Sequence, residues 1–430
     1  MFVGSRTSTE NGNLNNLYIL ELFHGPTFAF KDVALQVVGN LFEYFLSRKA
    51  RGPNAPKQLT VIAATSGDTG SAAIFGLRGK KGIEVFILHP QGRVSPVQEA
   101  QMTTVLDPNV HNLAVQGSFD DCQEIVKTFF GDKEFQRRLG KGNKLAAVNS
   151  INWARILSQT VYYFYAYFQV LNSAPLPSPD ALPTVQFSVP TGNFGDVLAG
   201  YYAKRMGLPI HNLIIATNSN DILYRFLQTG SYTRDGVVKE TLSPAMDILI
   251  SSNFERLLWC AALETLPRSK RDAKTASKII HSYMNQLKAT SSFKAHPKIH
   301  KYILDNFTAL RVTDSQTSDA IRRYYDSPKP YILDPHTAVG VVAAEKLTPA
   351  APDIETVCLA TAHPGKFPSA IFEALGNKVA YKDFAPKEML ELEGKEKRVI
   401  VIESGGSFEK TLELVKKEVL SLVSTQKARL

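Results

Sequence analysis

The chain has 430 residues, 44% of them hydrophobic and 21% charged, with a formal net charge of +9. That length is enough for a large core split over more than one domain, and the composition excludes a disordered or fibrous chain. Its lysines and arginines are interleaved with acids, bunching only at Arg78–Lys81 and Lys395–Arg398, so no nucleic-acid partner is expected and the charge reads as attraction for a small anionic substrate or as a solvated surface.

In chain order, residues 1–16 are polar, rich in Asn, Ser and Thr, and read as a loose leader. The stretch LFHGPTFAFKDVALQ, Leu22–Gln36, sets Lys31 among aromatic and small residues with Asp32 as its charged neighbour. That lysine is a snorkelling surface residue, an ion-pair partner, or an amine held out of water for chemistry. The run after it, VALQVVGNLFEYFLSR, is apolar on most faces and suits a helix buried on both sides. A Gly/Pro/Lys break follows at Arg51–Lys57.

Strands and helices then alternate. LTVIAA (Leu59–Ala64) and IEVFILHP (Ile83–Pro90) read as buried strands; between them lie TSGDTG and a helix, SAAIFGLRG. SPVQEAQMTTV opens a helix with Ser95 as N-cap, Pro96 at the first position and Gln98 closing a capping box. HNLAVQG leads into the helix DDCQEIVKTFF, the α/β signature. LNSAPLPSPDALP (Leu171–Pro183) reads as an exposed loop or insertion, and TVQFSVP, TGNFGD, VLAGYYAKRMG and HNLIIATN complete a βαβ unit. Arg256–Lys301 is mainly helical, TVCLAT (Thr356–Thr361) is another buried strand, and the last stretch, KTLELVKKEVLSLVS, is a surface helix with a charged face.

Three glycine-centred loops each follow an apolar strand, where open α/β sheets bind ligands, so all three would converge on one crevice. TSGDTG (Thr65–Gly70) offers Ser66 and Thr69 hydroxyls at a helix N-terminus suited to a carboxylate, or is a plain turn with a capping threonine. PTGNFGD (Pro190–Asp196) offers free N–H groups to a phosphate, although it is neither GxGxxG nor a P-loop. Around Thr361, a hydroxyl at a strand end suits a ring nitrogen, and His363 reads as a packed turn residue. In NSINWAR, Asn149, Asn152 and Arg155 are three apart and would share a helix face, with Arg155 either gripping a phosphate or packed as an ion-pair partner. Cys122, Cys260 and Cys358 lack metal-ligand spacing and cannot all pair, which suits a reducing compartment, and no metal site is expected. No signal sequence opens the chain and no apolar run approaches the roughly 20 residues that cross a bilayer, so a cytoplasmic protein with no membrane partner is expected.

Taken together, HGPTFAFKD, ATSGDTG, NSINWARI, PTGNFGD and LSPAMDILISSNFERLLW (Leu242–Trp259) resemble the threonine synthases, in their fungal form, from about Leu17 onward. The resemblance implies fold type II of the pyridoxal-phosphate enzymes, the tryptophan synthase β type: two α/β domains with the cofactor, pyridoxal 5'-phosphate, in the cleft between them. Residues 1–58 and 156–430 would form the large cofactor-binding domain and 59–155 the smaller one. It further implies that Lys31 joins the cofactor aldehyde, that Gly192, Asn193, Phe194 and Gly195 cradle its phosphate, that Thr361 faces its ring nitrogen, and that Asp68 lies beside the ring. Ser66 and Thr69 would meet the substrate carboxylate, with Asn149, Ser150, Asn152 and Arg155 at the substrate phosphate.

The implied reaction is conversion of O-phospho-L-homoserine and water to L-threonine and phosphate, a carbon–oxygen lyase reaction that closes threonine biosynthesis. Lys31 would act as general base, kept neutral by desolvation among Phe23, Phe28 and Phe30. Only 30 residues precede Lys31, and Met1–Asn16 do not resemble the longer segment of that family, so a shortened N-terminus and an exposed flank are expected. A phospho-lyase releasing 2-oxobutyrate and a truncated non-catalytic paralogue are the alternatives, and the assembly would be a monomer or homodimer.

Overall fold

A computed structural model describes residues 2–8, 14–48, 57–173, 183–348 and 354–427. The break at Arg51–Lys57, up to residue 56, and the loop at Leu171–Pro183, over 174–182, lie outside the described residues. Contacts divide the chain into two units, Met1–Phe23 with Ile156–Phe384 and His24–Arg155 with Ala385–Leu430.

The second unit is built on a five-stranded parallel sheet. Its strands are β3 (Gln58–Ala64), β4 (Ile83–Pro90), β5 (Val110–Val115), β6 (Asn143–Ala146) and β13 (Ile400–Ile402), in the order β13-β5-β4-β3-β6. Every residue of β4 and β5 is buried, as both faces of a parallel sheet are covered. Alternation sends Val61, Ala63, Val85 and Ile87 to one core and Ile62, Phe86, Leu88 and Leu113 to the other. The second core is closed by Leu412, Val415, Val419 and Val423 from the final helix, Phe408–Lys427. That helix and β13 group the described residues 385–427 with this unit, and helix α1 (Lys31–Ser47) groups residues 24–48 with it, whereas the sequence assigned both segments to the larger one. The pairing of Ile400 with Leu113 is the physical reason for the first.

Helix α1 (Lys31–Ser47) explains the second. It packs on α2 (Asp68–Leu77) so closely that a Cβ on Gly39 would collide with the Gly76 carbonyl oxygen, and one on Gly76 would lie 2.5 Å from that of Leu35. Two glycines at the crossing let the backbones touch. The remaining face of α1 is open: Val37, Leu41, Tyr44 and Phe45 are all exposed. The expected burial on both sides is therefore corrected to one, because a single glycine-lined contact supplies the packing. Helix α3 (Pro96–Thr103) starts as expected, with Ser95 accepting from the Gln98 N–H and Pro96 at its first position.

The first unit carries a six-stranded sheet in the order β1-β2-β12-β7-β8-β11. The strands are β1 (Phe2–Ser8), β2 (Leu14–Glu21), β7 (Thr184–Pro190), β8 (Ile210–Thr217), β11 (Phe307–Arg311) and β12 (Ile354–Ala360), with β9 (Ser231–Thr233) and β10 (Ser292–Lys294) pairing separately. All of its pairings are parallel except β1 on β2. The loose leader is thus corrected over residues 2–8, which form an antiparallel edge strand; residues 1 and 9–13 lie outside the described residues. Helix Pro335–Leu347 is buried along its length to Ala344 and packs on β7, β8 and β12.

One buried group in the second unit carries a pH signature. His89, near the end of β4, is 1% exposed, and neither ring nitrogen has a hydrogen-bond partner among the described residues. Burial holds its pKa below the usual histidine value, against smaller upward pulls from Glu99 and the adjoining Pro90 backbone. Folded His89 binds fewer protons than unfolded, so its contribution is present above the unfolded value of about 6.5 and is lost as pH falls from there through the folded value. The urea midpoint should decline below about pH 6.5, and less steeply in His89→Leu; equal slopes for the two proteins would contradict this.

Candidate active site

The second unit holds the lysine. The turn HGPT before α1 is tied by Asp32, whose carboxylate accepts from the Thr27 N–H at 2.8 Å and the Thr27 hydroxyl at 2.6 Å. Phe28 takes a left-handed conformation at φ 57° as the Phe28 N–H closes onto Gly25. Lys31 is the first residue of α1, its side chain 13% exposed, its Nζ 4.7 Å from the Phe30 ring centre and 3.2 Å from Asp68 Oδ2. Lysine and aspartate therefore sit at the first positions of two helices that their glycines lock together. Of the expected aromatic shell, Phe23 belongs to the other unit, where it packs edge-on against His363 at 5.2 Å.

Asp68 is held from its other side. Gln98 Nε2 donates to Asp68 Oδ1 at 2.9 Å, and the Ser95 hydroxyl donates to Gln98 Oε1 at 3.0 Å. The reciprocal half of the expected capping box is replaced by this reach to Asp68. Gly67, at φ 142°, leaves room for the Gln98 amide, which a Cβ there would meet at 2.5 Å. The capping threonine of TSGDTG is Thr65, whose Oγ1 accepts from the Gly67 and Gly70 N–H groups at 2.9 and 2.8 Å. Ser66 is exposed and Thr69 half-buried, at an α-helix N-terminus where an anion is favoured.

NSINWAR does not form one helix face. Asn149 to Asn152 make a turn, the Asn152 N–H donating to the Asn149 carbonyl at 3.1 Å, and α6 (Trp153–Ser173), which follows α4 (Phe119–Gly131) and α5 (Lys133–Arg138), begins only after it. The Asn152 side chain is used to build that turn, donating to the Ala147 carbonyl at 3.2 Å and accepting from the Ala154 N–H at 3.0 Å. Arg155 is 4% exposed and donates from Nη1 to the Val148 carbonyl at 2.9 Å, while Asn149 is exposed and Ser150 half-buried.

In the first unit, β7 and β12 are parallel neighbours, Ser188 opposite Cys358. The loops that follow them leave the same end of the sheet, which brings Gly192–Gly195 and Thr361 to one edge. Thr361 is 6% exposed, and among the described residues no hydrogen bond of its hydroxyl is found. Phe194 caps α7 (Gly195–Arg205) at φ 64°, its ring fixed edge-on against Phe254 at 5.3 Å. No N–H from Gly192 to Gly195 meets a protein acceptor among the described residues. Asp196, next along, accepts from the hydroxyls of Tyr162 and Tyr163 at 2.6 and 2.9 Å; burial and then its charge push the Tyr163 pKa well up. His363 is the packed turn residue expected, its Nδ1 accepting from the Gly365 N–H at 3.1 Å.

Each unit by itself offers groups of the kind that pyridoxal 5'-phosphate takes: the second a lysine amine suited to an aldehyde, the first open N–H groups suited to a phosphate and a neutral hydroxyl suited to a ring nitrogen. Sequence reasoning missed Asp32 and Gln98 as supports, because their partners are identified only by the folded turn and by the helix packing. It noted the block Leu242–Trp259 without giving it a role; its Ser251 and Asn253 lie behind the phosphate-suited loop.

Two family models match: "Pyridoxal-phosphate dependent enzyme" over residues 5–361 and "Threonine synthase, C-terminal" over residues 337–418. The threonine synthase of Saccharomyces cerevisiae is 54% identical over 402 residues, which is 91% of this chain and 76% of that protein. A crystal structure of threonine synthase from yeast superposes with a TM-score of 0.85 at 50% identity, covering 98% of this chain and 81% of the other. PLP-bound threonine synthase from Brucella melitensis gives 0.81 at 42% identity, covering 97% and 80%.

Proposed function

The chain belongs to the threonine synthase family of pyridoxal-phosphate-dependent enzymes, and from that footing we propose that it converts O-phospho-L-homoserine and water into L-threonine and phosphate. The observation that carries the residue assignment is the Lys31 amine standing 3.2 Å from Asp68 at the start of two locked helices. In this reading Lys31 holds the cofactor, Gly192, Asn193, Phe194 and Gly195 bind its phosphate, Thr361 meets its ring nitrogen and Asp68 lies beside its ring. Ser66 and Thr69 take the substrate carboxylate, and Asn149, Ser150, Asn152 and Arg155 its phosphate. Large and small cofactor-flanking domains, a cytoplasmic setting and a monomer or homodimer complete the proposal. Among the described residues no helix is long and apolar enough to cross a membrane.

When bound, the cofactor accepts the electrons left as bonds at the substrate Cα and Cβ break. The protein decides which bond breaks. Lys31 Nζ moves protons one at a time, off Cα, off Cβ, onto Cγ once phosphate has left and back onto Cα, with Asp68 holding the ammonium form between transfers. Arg155, already fixed through Nη1, steadies the departing phosphate at Cγ. Water must reach Cβ only after phosphate has gone, since earlier access diverts the substrate to a keto acid.

Incubation with O-phosphohomoserine and cofactor should release phosphate and threonine in equal amounts. Phosphate accompanied by 2-oxobutyrate alone would replace the synthase reading with that of a phospho-lyase.

A further inference from the structure

Two consecutive peptide groups of the Gly192–Gly195 loop are gripped from behind. The Ser251 hydroxyl donates to the Gly192 carbonyl at 2.7 Å, while the Asn253 N–H and Nδ2 both donate to the Asn193 carbonyl at 3.1 and 2.9 Å. Both anchoring residues are buried, Ser251 at 3% exposure and Asn253 at 0%. The anchors are themselves held: the Ser251 N–H donates to the Tyr232 hydroxyl at 2.9 Å, and Asn253 Oδ1 accepts from Arg256 Nη1 at 2.7 Å.

In a trans peptide the carbonyl and the N–H point in opposite directions. Anchoring the Gly192 carbonyl therefore aims the Asn193 N–H away from the Ser251 side, and anchoring the Asn193 carbonyl aims the Phe194 N–H the same way. Gly192 could otherwise let its peptide turn over, because glycine permits both backbone orientations. A turned peptide would present a carbonyl oxygen where an anion needs a donor.

We propose that Ser251 and Asn253 are positioning residues for the cofactor, holding two peptide planes so that the Asn193 and Phe194 N–H groups face its phosphate. This rests on reading the loop as the phosphate cradle. The Leu242–Trp259 block thereby gains a role, in which its residues act on the phosphate through the loop backbone without touching it.

The test titrates the cofactor-free chain spectroscopically with pyridoxal 5'-phosphate and with pyridoxal, which has the same ring and aldehyde but no phosphate. Ser251→Ala should weaken pyridoxal 5'-phosphate about tenfold or more, the scale of one lost buried hydrogen bond, and pyridoxal less than about twofold. Inorganic phosphate should raise the melting temperature of the native chain more than that of the variant. Equal weakening of both ligands, or none, would overturn the positioning role. A native chain that binds the two ligands equally would instead overturn the cradle reading beneath it.

Discussion

Lys31→Ala is expected to lower threonine formation by at least about 10³-fold, because in the proposed reading one side chain both anchors the cofactor and moves the substrate's protons. The geometry makes replacement by a neighbour difficult. Nζ is placed by the first turn of α1, by the Asp32 tie to Thr27 and by the Asp68 carboxylate, which is itself oriented by Gln98. The readouts are threonine produced from O-phosphohomoserine and the absorbance band of the lysine-linked cofactor. Both should vanish in the variant, with the folded circular-dichroism spectrum kept. Retention of linkage and turnover by Lys31→Ala would remove Lys31 from the mechanism and support a different anchor.

Gly39→Leu should be the most damaging change remote from the chemistry. Even a methyl at this position collides with the Gly76 carbonyl oxygen, a backbone atom that no rotamer change can clear. Overpacking of this kind costs about 3 kcal/mol or more, read as a lower urea midpoint. Because α1 begins at Lys31 and α2 at Asp68, separating the helices also separates that pair. Turnover should therefore fall at denaturant concentrations where the variant is still folded. Gly131→Ala, where nothing lies within 4 Å of the added carbon, is the matched control and should keep both stability and rate. If Gly39→Leu lost stability with an unchanged rate per folded molecule, the helix crossing would be a packing feature alone.

The contrast between Lys31 and Gly39 indicates what a sequence displays. Lys31, TSGDTG and GNFG were legible because strand, glycine loop and helix start are adjacent in the chain, and local backbone chemistry selects such loops for anions. Ser95 and Pro96 were legible for the same reason. Gly39 was not, since its significance is the carbonyl of Gly76 on another helix. The NSINWAR spacing suggested a helix face, but the Asn152 side chain satisfies turn groups instead and delays the helix to Trp153. Residues 2–8 read as leader because polar composition hides an edge strand whose partner, β2, is fixed by the rest of the sheet. The grouping of β13 with the smaller sheet had no local mark, because Ile400 pairs with Leu113, about two thirds of the chain away.

That long-range pairing has a kinetic consequence. β2 takes its parallel neighbour from β12, Leu17 beside Thr356, and β5 takes one of its own from β13, Leu113 beside Ile400. Neither sheet can be completed until the ribosome has passed β12 in the one case and β13 in the other. At translation speeds of roughly 5–20 residues per second, about 340 residues separate β2 from its partner, a delay on the order of tens of seconds. Through that interval the nascent strands have unsatisfied edges and bare apolar faces, so the yield of native enzyme in a cell should depend on chaperone capacity during synthesis more than on equilibrium stability afterwards.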